Sequence, residues 1–450
     1  MKQLVVIGGG PAGMMAAGTA AAQGIAVTLI EKNEKLGKKL HITGKGRCNL
    51  TNNSDMDNHM SQVVTNPRFL HSAFRAMDSQ ALMAFFEGQG VKLKTERGGR
   101  VFPVSDKAYD INDALKAFLG TARVQVKLNC AVQSVEAKGD HFNITTLTQS
   151  SLDISSAVHV SPAKTGNLAL SSIHASTVII ATGGLSYPST GSTGDGYTWA
   201  HNLGHNISST FPALVPLQAP EPWILALEGL SLKNVKCTAR ISNKIMYEEI
   251  GEMLFTKTGV TGPLILSASA YLADKFDANP IISIDLKPGL TLDQLDNRIL
   301  RDFEANKNKD FANALDGLLP QRLIETIIAL SQIPPDKKVH TITRAERQNL
   351  VRLLKNLELR PTNSAGYKEA VITKGGVSTK EISPSTLMSK HIPGLFFAGE
   401  VLDVDALTGG YNMQIAFSTG YLAGLSAAKY MEVMKASDLF DPTHRLCRSH

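Results

Sequence analysis

The feature that most constrains this chain is a glycine turn set between two apolar runs at its amino-terminal end. Leu4–Ile7 is followed by Gly8-Gly9-Gly10-Pro11-Ala12-Gly13, an alanine-rich helix ending near Gln23, and a second apolar run, Ile25–Ile30, closed by Glu31-Lys32. Strand, turn, helix, strand and terminal acid in that order make a dinucleotide-binding βαβ unit. Gly8 makes the tight turn, Gly10 lets backbone reach a pyrophosphate with no side chain in the way, and Gly13 lets helix and strand pack closely. Pro11 and Ala12 open a helix whose unpaired N–H groups and dipole favour an anion. Glu31, beside Lys32, is placed to accept both hydroxyls of an adenosine ribose.

Gly46, Arg47, Cys48, Asn49 and Thr51 lie in a stretch crowded with glycines, hydroxyls and amides, at the carboxyl end of the sheet where open α/β folds bind ligands. Of Lys32, Lys35, Lys38, Lys39, Lys45 and Arg47, only Arg47 is expected at a diphosphate, since most charge runs are solvated faces. Thr177–Ala181 reads as a further strand, and Ala181-Thr182-Gly183-Gly184 brings the chain back against the dinucleotide, again without bulky side chains.

Composition narrows the class. With 43% hydrophobic and 19% charged residues the chain reads as globular, and a net charge of +6 permits contact with phosphates or RNA without demanding it. Cys48, Cys130, Cys237 and Cys447 form no CxxC pair, so no redox disulfide or metal site is expected, and a reducing cytoplasm fits best. The amino-terminal run superficially imitates a signal peptide, but its glycines and Pro11 split it, and it fits the nucleotide unit better. No apolar run is long enough to span a membrane.

The stretch Gly44-Lys45-Gly46-Arg47-Cys48-Asn49-Leu50-Thr51-Asn52 resembles the GxGRCNxTN segment of the BaiN-like flavoproteins, a family that includes aminoacetone oxidase-type enzymes. The similarity extends to Gly99–Ala108, to Leu254-Phe255-Thr256 with Gly259 and Gly262-Pro263, and to the carboxyl-terminal signature, so it covers nearly the whole chain. Lys257 stands where members commonly carry His. The resemblance implies FAD as cofactor and a glutathione-reductase-type FAD-binding Rossmann domain. In that type a β-meander follows the Rossmann helices, here Val124–Leu128, Val132–Ala137 and Phe142–Leu147 with a turn at Gly139-Asp140, and backbone near Val132 would hold the adenine.

The second half of the FAD site is expected near the other end. Gly399-Glu400 and Asp403 close a buried strand; Asp403 suits a ribityl hydroxyl, with Glu400 the alternative. Gly409, Gly410, Tyr411 and Asn412 open a helix, Met413–Ala428, that aims N–H groups at the flavin pyrimidine edge. Between the halves, alternation in Val235–Ile241 and Ile245–Ile250, joined at Ser242-Asn243, predicts a sheet with Cys237 facing its core, and helical periodicity dominates from Leu292 to Asn356. The expected organisation is α/β: residues 1–195 and 361–432 form the Rossmann domain, 196–290 an inserted mostly β subdomain, 291–360 an inserted helical subdomain, and 433–450 a tail. Arg68–Gly90 reads as helical, Ile111–Leu119 as a helix that Ser105 or Asp106 would either cap or leave for a role near the flavin, and the serine-rich 149–176 stretch as an inserted loop or extended hairpin.

The functional expectation is an FAD-dependent oxidoreductase acting on a small molecule. NAD(P)H would dock transiently to reduce the flavin, and hydride would pass to an enone or similar acceptor. One alternative is an amine oxidase-type enzyme using oxygen. Another class is an RNA-binding or RNA-modifying flavoprotein, disfavoured by scattered lysines without an aromatic-basic patch. No catalytic residue and no metal ligand is assigned, and the oligomeric state is left open.

Overall fold

The computed structural model describes residues 3–44, 46–149 and 168–440. The chain divides into two compact units, one of Met1–Phe211 with Val371–His450 and the other of Pro212–Ala370.

The first unit is built on a five-stranded parallel sheet. Its strands are β1 (Leu4–Ile7), β2 (Val27–Ile30), β3 (Gln125–Lys127), β4 (Thr177–Ile180) and β5 (Leu395–Phe397), in the spatial order β5-β4-β1-β2-β3. β1 and β4 are buried at every position, as continuous apolar runs must be when both faces of a parallel sheet are covered. Two helices matter most for the site: α1 (Pro11–Ala22), which leaves the tip of β1, and α2 (Tyr411–Phe440), which follows β5. From Ala12 to Ala21 every residue of α1 is buried, because the helix is enclosed on all sides. Gly420 and Gly424 of α2 press on it: a Cβ at Gly420 would lie 2.4 Å from the Ala12 carbonyl oxygen, and one at Gly424 2.5 Å from that of Ala16.

Two smaller antiparallel sheets complete what the sequence reading asks of this unit. Cys130–Lys138, His141–Gln149 and Leu168–Ala175 form a meander, with Gly139 turning at φ +63°; of the strands expected in it, the one near Val124–Leu128 instead pairs parallel with β2 as β3, and Leu168–Ala175 from the end of the serine-rich stretch takes its place. Residues 150–167 of the serine-rich stretch lie outside the described residues. Thr51–Asn52, Arg100–Pro103 and Leu93–Thr95 form the other sheet.

Helix boundaries differ in instructive ways. The single helix expected over Arg68–Gly90 is a 3-10 turn, Pro67–Leu70, and two helices, His71–Ala76 and Ser79–Gly88. The break falls at Asp78, whose carboxylate caps the second by accepting from Ala81 N at 2.8 Å. The helix at Ala108–Thr121 has no side-chain cap; Asp106 is committed to Arg47 and Lys94 instead. The last helix continues to Phe440, well past Ala428 and into the expected tail.

The second unit holds a seven-stranded antiparallel sheet, including Ser231–Ile241 and Lys244–Thr256, joined at Ser242-Asn243 as expected. Helices Leu292–Ala305 and Arg344–Lys355 begin with capping boxes at Thr291/Gln294 and Thr343/Glu346. Their apolar stripes, Leu295-Ile299-Phe303 and Leu350-Val351-Leu354, join Cys237 and the sheet in a single core. Where the sequence reading separates 196–290 from 291–360, strands and helices thus share one unit, because each amphipathic face finds the other to bury against.

The contact between α1 and α2 makes a stability prediction. Gly424→Val would push a side chain against backbone that cannot retreat, and about 1–3 kcal/mol of stability should be lost. Urea unfolding followed by circular dichroism measures this, and an unchanged midpoint would show that α2 can lift away from α1 freely.

Candidate functional site

At the carboxyl edge of the parallel sheet the first unit encloses a cavity of about 1340 Å³, its open mouth included. Its wall comes from both ends of the polypeptide: Gly8, Gly10, Pro11 and Ala12 follow β1, Glu31 and Lys32 follow β2, and Gly399, Glu400 and Asn412 come from the segment around β5 and α2. Val132 of the meander and Ala181, Thr182 and Gly183 beyond β4 also line it.

The glycine turn is shaped for close approach. Gly8 has φ +109°, and a Cβ at Gly13 would lie 1.9 Å from the Gly8 carbonyl oxygen, so Gly13 serves turn-to-helix packing and stays off the wall. A Cβ at Gly10 would meet no atom within 4 Å: the open space beside it belongs to the cavity. α1 starts there with no side-chain cap, leaving first-turn N–H groups to an anion. The Thr182 hydroxyl, also on the wall, is buried without a partner among the described residues. These features fit a dinucleotide diphosphate lying across the tip of β1.

Glu31 has a double task. Its Oε2 accepts from Gly9 N at 2.7 Å, and its Oε1 from Asn33 N at 2.8 Å and Asn33 Nδ2 at 2.6 Å. The carboxylate fixes the glycine turn while keeping one acceptor site for a ligand hydroxyl.

Three lysines reach the wall, each already held. Lys32 donates to Asp195 Oδ2 (2.7 Å) and Thr193 Oγ1 (2.5 Å), and Lys38 to Glu34 and Asn33. Lys39 donates to Glu400 Oε2 at 2.7 Å and to Ser186 Oγ at 2.6 Å. Glu400 Oε1 in turn accepts from Ser186 Oγ (2.7 Å) and Thr373 N (2.9 Å). An ammonium has three donors, so Lys39 keeps one for whatever enters.

Several expected residues lie elsewhere. Gly46, Arg47, Cys48, Asn49 and Thr51 are absent from the wall, although Leu40 and Thr43 just before them are on it. Positive φ at Gly44, Gly46 and Cys48 folds this stretch back into the small sheet. Arg47 lies over the Phe102 ring at 4.1 Å and pairs with Glu96 and Asp106, which raise its pKa while theirs are lowered. Cys48 is fully buried, and burial pushes its thiol up to about 12. Thr51 donates to Gln414 of α2 at 2.5 Å.

Asp403, expected at the ribityl chain, is also off the wall and accepts from Ser208 Oγ at 2.8 Å. The 3-10 turn Gly399–Val401 brings the first acid, Glu400, to the cavity and carries the second away. Gly409, Gly410 and Tyr411 are likewise off it: a Cβ at Gly410 would lie 2.4 Å from the Thr51 carbonyl oxygen, so this glycine lets α2 start against the small sheet. Asn412 is on the wall, with its amide bonded to Ala406 N and O.

The wall residues that sequence reasoning missed include Lys39, Asn33 and Trp199. Lys39 sat in a charge run that reads as solvated, and only its partner 361 positions away distinguishes it. Asn33, two residues past the terminal acid, could have been found as an amide able to cap that acid.

A family model described as the HI0933-like protein Rossmann domain matches residues 2–426. The 3-dehydro-bile acid delta(4,6)-reductase of Clostridium scindens is 30% identical over 433 residues, covering 95% of this chain and 100% of the relative. The ribosomal RNA dihydrouridine synthase of Escherichia coli is 31% identical over 428 residues, covering 94% and 98%. Among solved structures, the 3-ketosteroid-delta4-(5alpha)-dehydrogenase of Rhodococcus jostii aligns with a TM-score of 0.45 at 15% identity, over 95% of this chain and 97% of that one. The glycine turn, the wall drawn from both ends of the chain and the match along nearly its whole length lead to one assignment: the chain belongs to the HI0933-like Rossmann family of FAD-dependent oxidoreductases.

Proposed function

We infer that this chain is a reductase that saturates a carbon–carbon double bond conjugated to a carbonyl group, with NAD(P)H as the source of electrons. The observation that carries this reading is a chemical feature common to two relatives of equal similarity. A delta(4) bond beside the 3-oxo group of a 3-dehydro-bile acid is an enone, and the C5–C6 bond that dihydrouridine formation saturates is conjugated to the C4 carbonyl of uracil.

FAD bound in the cavity supplies the two-electron chemistry by which a hydride reaches the carbon β to the carbonyl. The chain's own residues do the rest. The glycine turn and the start of α1 would hold the diphosphate, and Glu31 would hold the adenosine ribose. Lys39, steadied by Glu400 and Ser186, presents Nζ on the wall, where it would donate to the carbonyl oxygen and polarise it. Cys48 is no nucleophile, since a thiol held near 12 carries almost no thiolate at neutral pH.

Anaerobic stopped-flow measurement tests the reaction class. NADPH or NADH should bleach the flavin, and a conjugated enone should restore its colour faster than dissolved oxygen does. Reduction by primary amines alone, with peroxide formed on reoxidation, would establish the amine-oxidase alternative instead.

Glu31→Ala removes both the ribose acceptor and the tie to Gly9. FAD should dissociate at least about tenfold more readily, as loss of hydrogen bonds to a charged group implies; unchanged retention in equilibrium dialysis would place the ribose elsewhere. Cys48 should resist iodoacetamide in the native protein at about pH 8, and Cys48→Ser should leave flavin bleaching by NAD(P)H intact. Rapid alkylation, or loss of bleaching with FAD still bound, would contradict its inert burial.

A further inference from the structure

One part of the cavity wall is held by side chains rather than by paired backbone. Past β4 the chain makes a 3-10 turn, Pro188–Thr190, and runs on without regular structure to the helix Asp195–Asn202. Thr190, Gly191, Ser192, Thr193 and Asp195 line the cavity, and so do Lys32 and Asn33 just past β2. No strand pairing joins the two stretches among the described residues. Three side-chain bonds do so: Lys32 Nζ donates to Asp195 Oδ2 at 2.7 Å and to Thr193 Oγ1 at 2.5 Å, and Asn33 Nδ2 donates to Thr190 O at 3.0 Å.

The two stretches fit closely. Gly191 has φ +103°, and a Cβ there would lie 2.5 Å from Asn33 Nδ2 and 3.2 Å from Lys32 Cε, so its backbone rests directly on both side chains. Ser192 is 7% exposed and lies against Gly183, where a Cβ would come within 3.2 Å of the Ser192 Oγ. Left-handed φ at Tyr187, +52°, and at Gly194, +83°, turns the chain at either end of the segment, and a few such residues can absorb the rotation of a hinge.

The seam is also joined to the glycine turn. Asn33 Nδ2 donates to Glu31 Oε1 at 2.6 Å as well as to Thr190 O, and Glu31 accepts from Gly9 N. The ionic bond across the seam is of the kind that yields readily. The Lys32 and Asp195 side chains are 29% and 38% exposed, and ion pairs so exposed contribute little and are weakened by salt. The turn, by contrast, is clamped where Gly13 meets the Gly8 carbonyl. When the seam opens, it is therefore Thr190–Asp195 that moves.

We propose that Thr190–Asp195 is a strap that opens to admit and release the FAD, and that the Lys32–Asp195 pair is the latch that sets the rate of exchange. The latch groups bond to each other across the seam, so breaking them lowers one barrier for entry and exit alike. Exchange quickens and affinity stays. A residue that gripped the ligand would behave differently, because its loss acts mainly on release. Salt weakens the latch as a substitution does, so FAD uptake should be faster at high ionic strength, whereas screening of a direct contact to the diphosphate would slow it. The inference requires only that FAD occupies this cavity and is independent of what the flavin reduces.

The test uses the full chain and FAD, with uptake and release each followed by flavin fluorescence anisotropy at about 0.01 M and about 1 M salt, where charges are screened beyond roughly 30 Å and 3 Å. Asp195→Asn should speed uptake and release alike, each about twofold to fivefold, as loss of a part-exposed ion pair implies, with the dissociation constant held. Gly191→Ala, whose methyl group has no room beside Asn33, should also speed both. In the parent both rates should rise with salt, and in Asp195→Asn that rise should shrink. Adding Lys32→Met to Asp195→Asn should change little more, since the two side chains make one interaction. Parental rates in Asp195→Asn and Gly191→Ala, fully additive effects of Lys32→Met and Asp195→Asn, or faster release without faster uptake would overturn the proposal; the last outcome makes these residues contacts of the ligand instead of a latch. A parent protein that takes up no FAD defeats the cofactor assignment itself.

Discussion

Gly420 and Gly424 let α2 lie on α1 backbone to backbone, over the carbonyl oxygens of Ala12 and Ala16, and this contact brings the two ends of the polypeptide to one ligand. α1 leaves β1 through a turn in which Gly13 touches the Gly8 carbonyl, so its direction is fixed at the start as well. With turn and helix both clamped, the first-turn N–H groups point to one place. Side chains at Gly13, Gly420 or Gly424 would force the backbones apart, and interiors packed to crystal density transmit such shifts to their neighbours. The acid that meets the glycine turn, Glu31, then acts on an already oriented target: its bond to Gly9 N refines the turn.

The charges of the wall follow from the same economy of backbone. A diphosphate held by N–H groups and a helix dipole needs few cations, and the lysines that reach the cavity are each matched by an acid: Lys32 by Asp195, Lys38 by Glu34 and Lys39 by Glu400. The Lys39–Glu400 pair differs in kind, because both side chains are about one-fifth exposed, at 22% and 21%, and both face the cavity. A partly buried pair is stable only when its remaining valences are met. Ser186 and Thr373 N meet those of Glu400, and Lys39 retains a donor toward the ligand.

What could be read from the sequence was local. The βαβ unit is contiguous, and each of its residues is constrained by its neighbours, so Gly8, Gly10 and Glu31 lie on the wall as their spacing implies. The Gly139-Asp140 and Ser242-Asn243 hairpins were legible for the same reason, since alternation and a turn suffice. Arg47 and Asp403 show where such reasoning ends. Both lie in turn-rich stretches near the cavity, but which way a side chain leaves a turn depends on φ at residues such as Gly44, Gly46 and Cys48, and on partners distant in sequence. Glu96 and Asp106 took Arg47, Ser208 took Asp403, and nothing near either residue announces it.

The segment from Leu40 to Thr43 links these observations. A 3-10 turn spends only three residues per revolution, so adjacent side chains leave it in widely different directions: Leu40 and Thr43 toward the cavity, His41 toward Tyr109 on the outer face.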